Sequence, residues 1–182
     1  MNLALYLAWY TSLWRRLRQW WSLPASERWL LLEAVFWLAW ARLALRLVPL
    51  HRLAPRLGQS QAEAPRSLTP AAVQQAQLIA RLVNIAGAHL PWTCTCLVEA
   101  LAGMQMLRRR GQSCTLYLGV AKHQTQQLSA HAWLRSGEVF VTGEREHHDF
   151  VVVGSFQHVA PLLPSRTRGR GGEGARGRRT AP

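Results

Sequence analysis

The sequence predicts an α+β fold, with helices first and an antiparallel sheet after them. Apolar residues recur at helical spacing as far as the arginines that end at Arg110. Beyond Gly111 they fall into short stretches that alternate or are rich in β-branched and aromatic residues, and turn signals separate those stretches. The 182 residues, 49% of them apolar and 17% charged, suffice for one core of ordinary size and exclude a multidomain machine.

A first helix is expected around Leu3 to Trp21, with a break at Leu23-Pro24. A second runs from about Ser26 to Val48, with Ser26 as its cap and Pro49 after its end. Apolar residues surround the second helix almost completely, which places it in a groove between other elements. Residues 58–68, GQSQAEAPRSL, are polar and turn-rich and read as a linker. Helix resumes with Thr69 as cap and Pro70 in first position. Val73, Ala76, Ile79, Leu82, Val83 and Ala86 follow at helical spacing, and Gly87 and Pro91 bound the end. From Cys96 to Arg110 only Glu99 is charged before the terminal arginines. That stretch reads as a mostly buried helix whose basic end suits the negative pole of the macrodipole and which Gly111 terminates.

Four strands are expected: Cys114 to Ala121, Leu128 to Arg135, Glu138 to Thr142 and Phe150 to Phe156. They form an antiparallel meander with Ser136-Gly137 as a tight turn. The chain thus divides into a helical segment (1–58), a core (59–164) and an arginine- and glycine-rich tail (165–182). The tail has no apolar residue larger than Ala or Pro to bury and is expected to be disordered.

The formal net charge is +13, and 21 of the 22 basic residues are Arg, Lys122 being the exception. Six arginines lie in the tail, where they serve solubility or contact with an acidic partner. The body shows no stripe of basic residues interleaved with exposed aromatics, so nucleic-acid binding is not expected as the main activity. The uncharged run Met1 to Trp14 precedes Arg15, Arg16 and Arg18, the reverse of a secretory signal. Between Trp29 and Leu50 the longest uncharged piece is eight residues, against roughly 20 for a membrane span. Peripheral membrane contact through the Trp- and Arg-rich first fifty residues is one expectation. Cys94, Cys96 and Cys114 form an odd set without CxxC spacing, which fits a reducing cytoplasm better than a disulfide framework. His123, His147, His148 and His158 have no metal-binding spacing, and neither a metal nor a cofactor is expected.

The chemistry centres on Cys96. It stands where a loop containing Pro91 turns into a buried helix, and the unpaired amides and positive pole there favour a thiolate. His131, flanked by Ala130 and Ala132 in a short strand, is the candidate base. Cys114, on a strand, reads as core, and Trp92 and Trp133 as cleft walls or core aromatics.

These residues carry a resemblance. Cys96-Leu97-Val98-Glu99-Ala100-Leu101, Leu107-Arg108-Arg109-Arg110-Gly111, Leu116-Tyr117-Leu118-Gly119-Val120 and His131-Ala132-Trp133 follow one another much as in the transglutaminase-like leader peptidases of lasso-peptide biosynthesis. The stretch from Ser26 to Ala34, with Leu47-Val48-Pro49 and Leu57-Gly58, is similar to the helical segment ahead of the core in stand-alone members. The resemblance spans roughly residues 22–158 and implies a papain-type cysteine peptidase. Such an enzyme removes the leader from a ribosomally made precursor so that an ATP-dependent cyclase can close the macrolactam. It implies Cys96 as nucleophile and His131 as base, then acid for the leaving amine. Residues 1–58 lack strand signals, so a separate leader-recognition protein is expected in place of a fused winged-helix module.

The third member departs from that pattern. The family places an Asp on the strand after the HAW motif, about a dozen residues on. With Ser136-Gly137 as a two-residue turn, His131 pairs with Thr142, Gly143 follows, and no carboxylate stands there. Asp149, the only aspartate, is taken as the orienter. Glu144, Thr142 and a backbone carbonyl are the alternatives. An incomplete triad also leaves open a non-catalytic scaffold that docks the precursor or the cyclase.

Overall fold

The computed structural model describes residues 24–122, 128–145 and 147–160, with only the backbone of Lys122. The helix expected over Leu3–Trp21 and the arginine-rich tail lie outside them. Helix α1 (Ala25–Leu47) begins at Pro24, whose carbonyl accepts from the amides of Glu27 and Arg28 at 3.0 and 3.1 Å. Ser26 therefore lies inside the first turn and is not the cap: Pro24 has an extended backbone and already starts the helix. Pro49 caps a second, short helix, α2 (Leu50–Leu57).

One face of α1, with Leu31, Ala34, Leu38 and Ala41, enters the core against α3 (Pro70–His89) and α4 (Cys96–Arg108). The opposite face carries Trp29, Leu32, Phe36, Trp40, Leu43 and Leu47 and is exposed. The helix is thus not enclosed in a groove among the described residues, because α3 and α4 cover one side of it only. No helix of the described residues is long and apolar enough to cross a membrane.

The expected linker is more ordered than its composition implies. Gln59–Ser60 form strand β1, and the amide of Ala64 donates to Thr115 Oγ1 at 2.9 Å. Backbone pairing and a buried hydroxyl hold it where its own side chains have little to bury. In α3, Thr69 caps the Ala72 amide and Pro70 takes the first position as expected. The helix runs past Gly87 to His89. That glycine serves packing, since a Cβ there would lie 2.8 Å from Glu99 Oε1. Helix α4 ends at Arg108 because the next amides fold back into a tight turn onto the Leu107 and Arg108 carbonyls, with Gly111 at φ +61°.

Strands β2 (Cys114–Lys122), β3 (Leu128–Ser136), β4 (Val139–Thr142) and β5 (Val151–His158) complete a sheet of order β1-β5-β2-β3-β4, antiparallel throughout. It is not a simple meander: β5 passes back to pair with β2 instead of continuing beyond β4. The hairpin turn is Gly137-Glu138, with Ser136 opposite Val139, and a bulge at Leu134/Arg135 sets Leu134 opposite Thr142. The expected pairing of His131 with Thr142 is therefore incorrect: the turn lies one residue later, which moves the register by two, and the bulge moves it by one more, so that Thr142 faces Leu134.

Alternation along the strands sorts the rest. Leu116, Ala132 and Leu134 enter the core with the helices, and Gly103 of α4 allows close contact: a Cβ there would lie 2.9 Å from Leu134 Cδ2. Tyr117, Trp133 and Arg135 occupy the alternate positions. Buried Arg135 donates to the Gly137 carbonyl (3.0 Å), Glu63 (3.0 Å) and the Tyr117 hydroxyl (2.6 Å). At the far end of α4, Arg110 grips Glu33 of α1 through both carboxylate oxygens at 3.2 and 2.6 Å, tying the two helices together.

Candidate active site

Cys96 is the first residue of α4, and Thr95 before it accepts the Val98 amide on its hydroxyl at 3.4 Å. The cap fixes where the helix starts and hence where the half-exposed sulfur sits, at the positive pole. The other two cysteines differ. Cys114 is buried, and burial pushes its thiol up to about 12. Burial, and after it the nearby Glu99, raises the Cys94 thiol above the ordinary range.

His131 is buried on β3, at the same set of positions as Trp133 and Arg135. Strand β4 pairs with β3 only from Leu134 to Ser136, so His131 lies past the end of that pairing, where the edge of the sheet opens. Trp133 stacks on both Tyr117 and the imidazole, with ring centroids 5.5 and 5.9 Å apart, and Phe150 lies 5.0 Å from the imidazole. Gly119 leaves the space for this stack, since a Cβ there would lie 2.7 Å from the Trp133 ring. Trp133 is thus a buried platform beneath the base.

His131 Nε2 lies 3.2 Å from the carbonyl oxygen of Gly143. A carbonyl only accepts, so Nε2 carries a hydrogen, and in the neutral imidazole the lone pair is then on Nδ1. Gly143 has φ +73°, and a Cβ there would lie 2.9 Å from His131 Nε2 and 2.8 Å from the Ala132 carbonyl. Glycine is therefore required both by the backbone and by the space. Of the alternatives considered for holding the ring, the backbone carbonyl makes the contact. Thr142 does not serve, since its buried hydroxyl has no hydrogen-bond partner.

Cys96, His131, Glu144 and Asp149 all line one cavity of about 980 Å³, together with Asn84 and Glu99. Glu144 and Asp149 are exposed at its rim, Asp149 closing the short 3-10 turn His147–Asp149. A second cavity of about 640 Å³ lies beside it, lined by Trp92 and Cys94 and sharing Asn84 and Glu99 with the first. No group of three or more His, Cys, Asp or Glu among the described residues is arranged to hold a metal ion.

Two residues escaped the sequence reading. Gly143 was seen only as a place without a carboxylate, although a glycine directly after a strand signals a turn whose carbonyl is free to point inward. Glu99 was seen only as a helix residue. Its signal was its isolation: it is the single charge in an apolar helix before the arginines, one turn from Cys96.

No curated protein and no solved structure matches the chain. The family model described as the transglutaminase-like superfamily matches residues 35–155, from the middle of α1 to within β5. It covers the second half of α1, the other three helices, most of the sheet and every residue of the cavity, and the chain belongs to that superfamily.

Proposed function

We propose that the chain is a cysteine peptidase that removes the leader from a ribosomally made lasso-peptide precursor, leaving a new amino terminus for an ATP-dependent cyclase to close. The observation that supports it is the joint lining of one cavity by Cys96 at a helix start and by His131, whose Nε2–H is engaged by Gly143. In this reading Nδ1 of His131 takes the thiol proton as sulfur attacks the scissile carbonyl. The imidazolium gives that proton to the leaving amine, and a thioester remains. Water, deprotonated by the same nitrogen, then releases the acid and restores the thiol. Two cavities whose linings share Asn84 and Glu99 lie side by side, and in this reading an extended peptide occupies both. A separate leader-recognition protein supplies most of the substrate affinity, and the exposed apolar stripe of α1 offers it a surface.

The competing reading is a non-catalytic scaffold, favoured by the neutral carbonyl at Gly143 where the resemblance expects a carboxylate. Cleavage of a precursor, followed by mass with the leader-binding partner present, separates the two. The parent should cut, Cys96→Ala should not, and His131→Ala should lose about 100-fold or more. Cleavage retained in Cys96→Ala would falsify the assignment, and a parent silent with every partner supports the scaffold.

A further inference from the structure

We infer that Glu99 is an anionic partner of His131, supplying a full negative charge from the helix that bears the nucleophile, where Gly143 offers a neutral carbonyl. This rests on the peptidase reading. Glu99 and Cys96 are three residues apart on α4, hence on one face, and both line the cavity with His131. Space for the carboxylate is built in: Gly87 of α3 stands where any larger residue would bring a Cβ to 2.8 Å from Glu99 Oε1. Among the described residues the half-buried carboxylate has no hydrogen bond or salt bridge, although 21 arginines crowd the chain. A carboxylate left in that state is costly unless a cation forms beside it. The cation that catalysis forms here is the imidazolium. Burial raises the Glu99 carboxyl above its ordinary range, and the charge on His131 opposes that rise.

The division of labour follows. Gly143 sets the tautomer and the ring angle but offers only a dipole, whereas Glu99 offers a full charge and no orientation. Other ionisable groups facing the pair are Cys96 and Cys94 on the α4 side, with Glu144, Arg145 and Asp149 on the β4–β5 connection. His147 lies tilted against Phe140 and approaches Trp133, and Arg42 of α1 donates to the Thr93 carbonyl. Among the described side chains, α3 and β2 line the cavity with the uncharged Asn84 and Ala121.

The test uses the full chain and no substrate. The ring C–H resonance of His131, assigned by its loss in His131→Ala, is titrated by NMR, and Cys96 alkylation by iodoacetamide is followed by mass at each pH. Glu99→Gln, nearly the same shape, should move the His131 midpoint downward, the direction expected when a neighbouring negative charge is removed. Glu99→Asp should recover part of the shift, and Gly87→Ala, which crowds the carboxylate, should move it in the same direction as Glu99→Gln. An unchanged midpoint in Glu99→Gln, with Cys96 alkylation still responsive to His131→Ala, overturns the role of Glu99 alone. Alkylation indifferent to His131→Ala removes the Cys96–His131 pair, and this inference with it.

Discussion

The two ends of α4 each meet a carboxylate, and they treat it in opposite ways. At the carboxyl end Glu33 reaches across from α1 to Arg110 and Arg109 and also accepts from the Trp37 indole one turn along its own helix. Burial alone would raise its carboxyl, but these donors and cations hold it below the ordinary range. At the amino end Glu99 is also half-buried but has no hydrogen bond or salt bridge among the described residues, and burial raises its carboxyl against the opposing charge of His131. One end is built to be stable. The other keeps an electrostatic deficit beside the only cysteine at a helix start, the arrangement expected where a site trades stability for chemistry.

Gly143→Ala tests the amino end with the largest effect. The added Cβ meets the imidazole, the carbonyl turns away, and precursor cleavage should fall by about 100-fold or more while the fold persists. An alanine variant that folds and cuts at the parental rate would mean that the contact orients nothing. Next is the carboxyl end: Arg110→Met leaves Glu33 with only Arg109 and Trp37. It should lower stability by about 1–2 kcal/mol, discounted for partial exposure, read as a fall in Tm. Glu99→Gln should do the reverse and stabilise the fold by a few tenths of a kcal/mol, since it removes a half-buried charge that makes no hydrogen bond among the described residues.

The smallest effect is in the pH dependence, where the two carboxylates have opposite signs. Glu33 is held below its unfolded value, so its contribution is present above the ordinary carboxylate range and is lost as pH falls through the folded pKa. Glu99 is held above, so its contribution is present at low pH and is lost as pH rises through its raised pKa. Melting curves across pH 3–7 should therefore show Glu33→Gln flattening the acid side of the profile and Glu99→Gln the side above it. Equal slopes in both variants would erase the contrast between the two ends.

Much of this architecture was legible in the sequence because it depends on local periodicity. Thr69 and Pro70 announce α3, the change of period at Gly111 announces the sheet, and the helix start at Cys96 places the sulfur. What was not legible depends on register and on contacts distant in sequence. The shift of the hairpin turn to Gly137-Glu138 and the bulge at Leu134/Arg135 decide what faces His131, and neither leaves a compositional trace. The exposed face of α1 was hidden for a related reason: a helix apolar all round does not reveal which side its neighbours cover. Glu99 acquires meaning only once Gly87, 12 residues earlier, lies against it.

Holding the imidazole with main chain has a consequence of its own. A carboxylate in that position would take up a proton in acid and let go of the ring, whereas an amide oxygen has no such titration in the range proteins survive. The grip on His131 should thus endure for as long as the turn at Gly143 does. Its weak point is conformational: a change of backbone at Gly143, held at φ +73°, would break this contact whatever the pH.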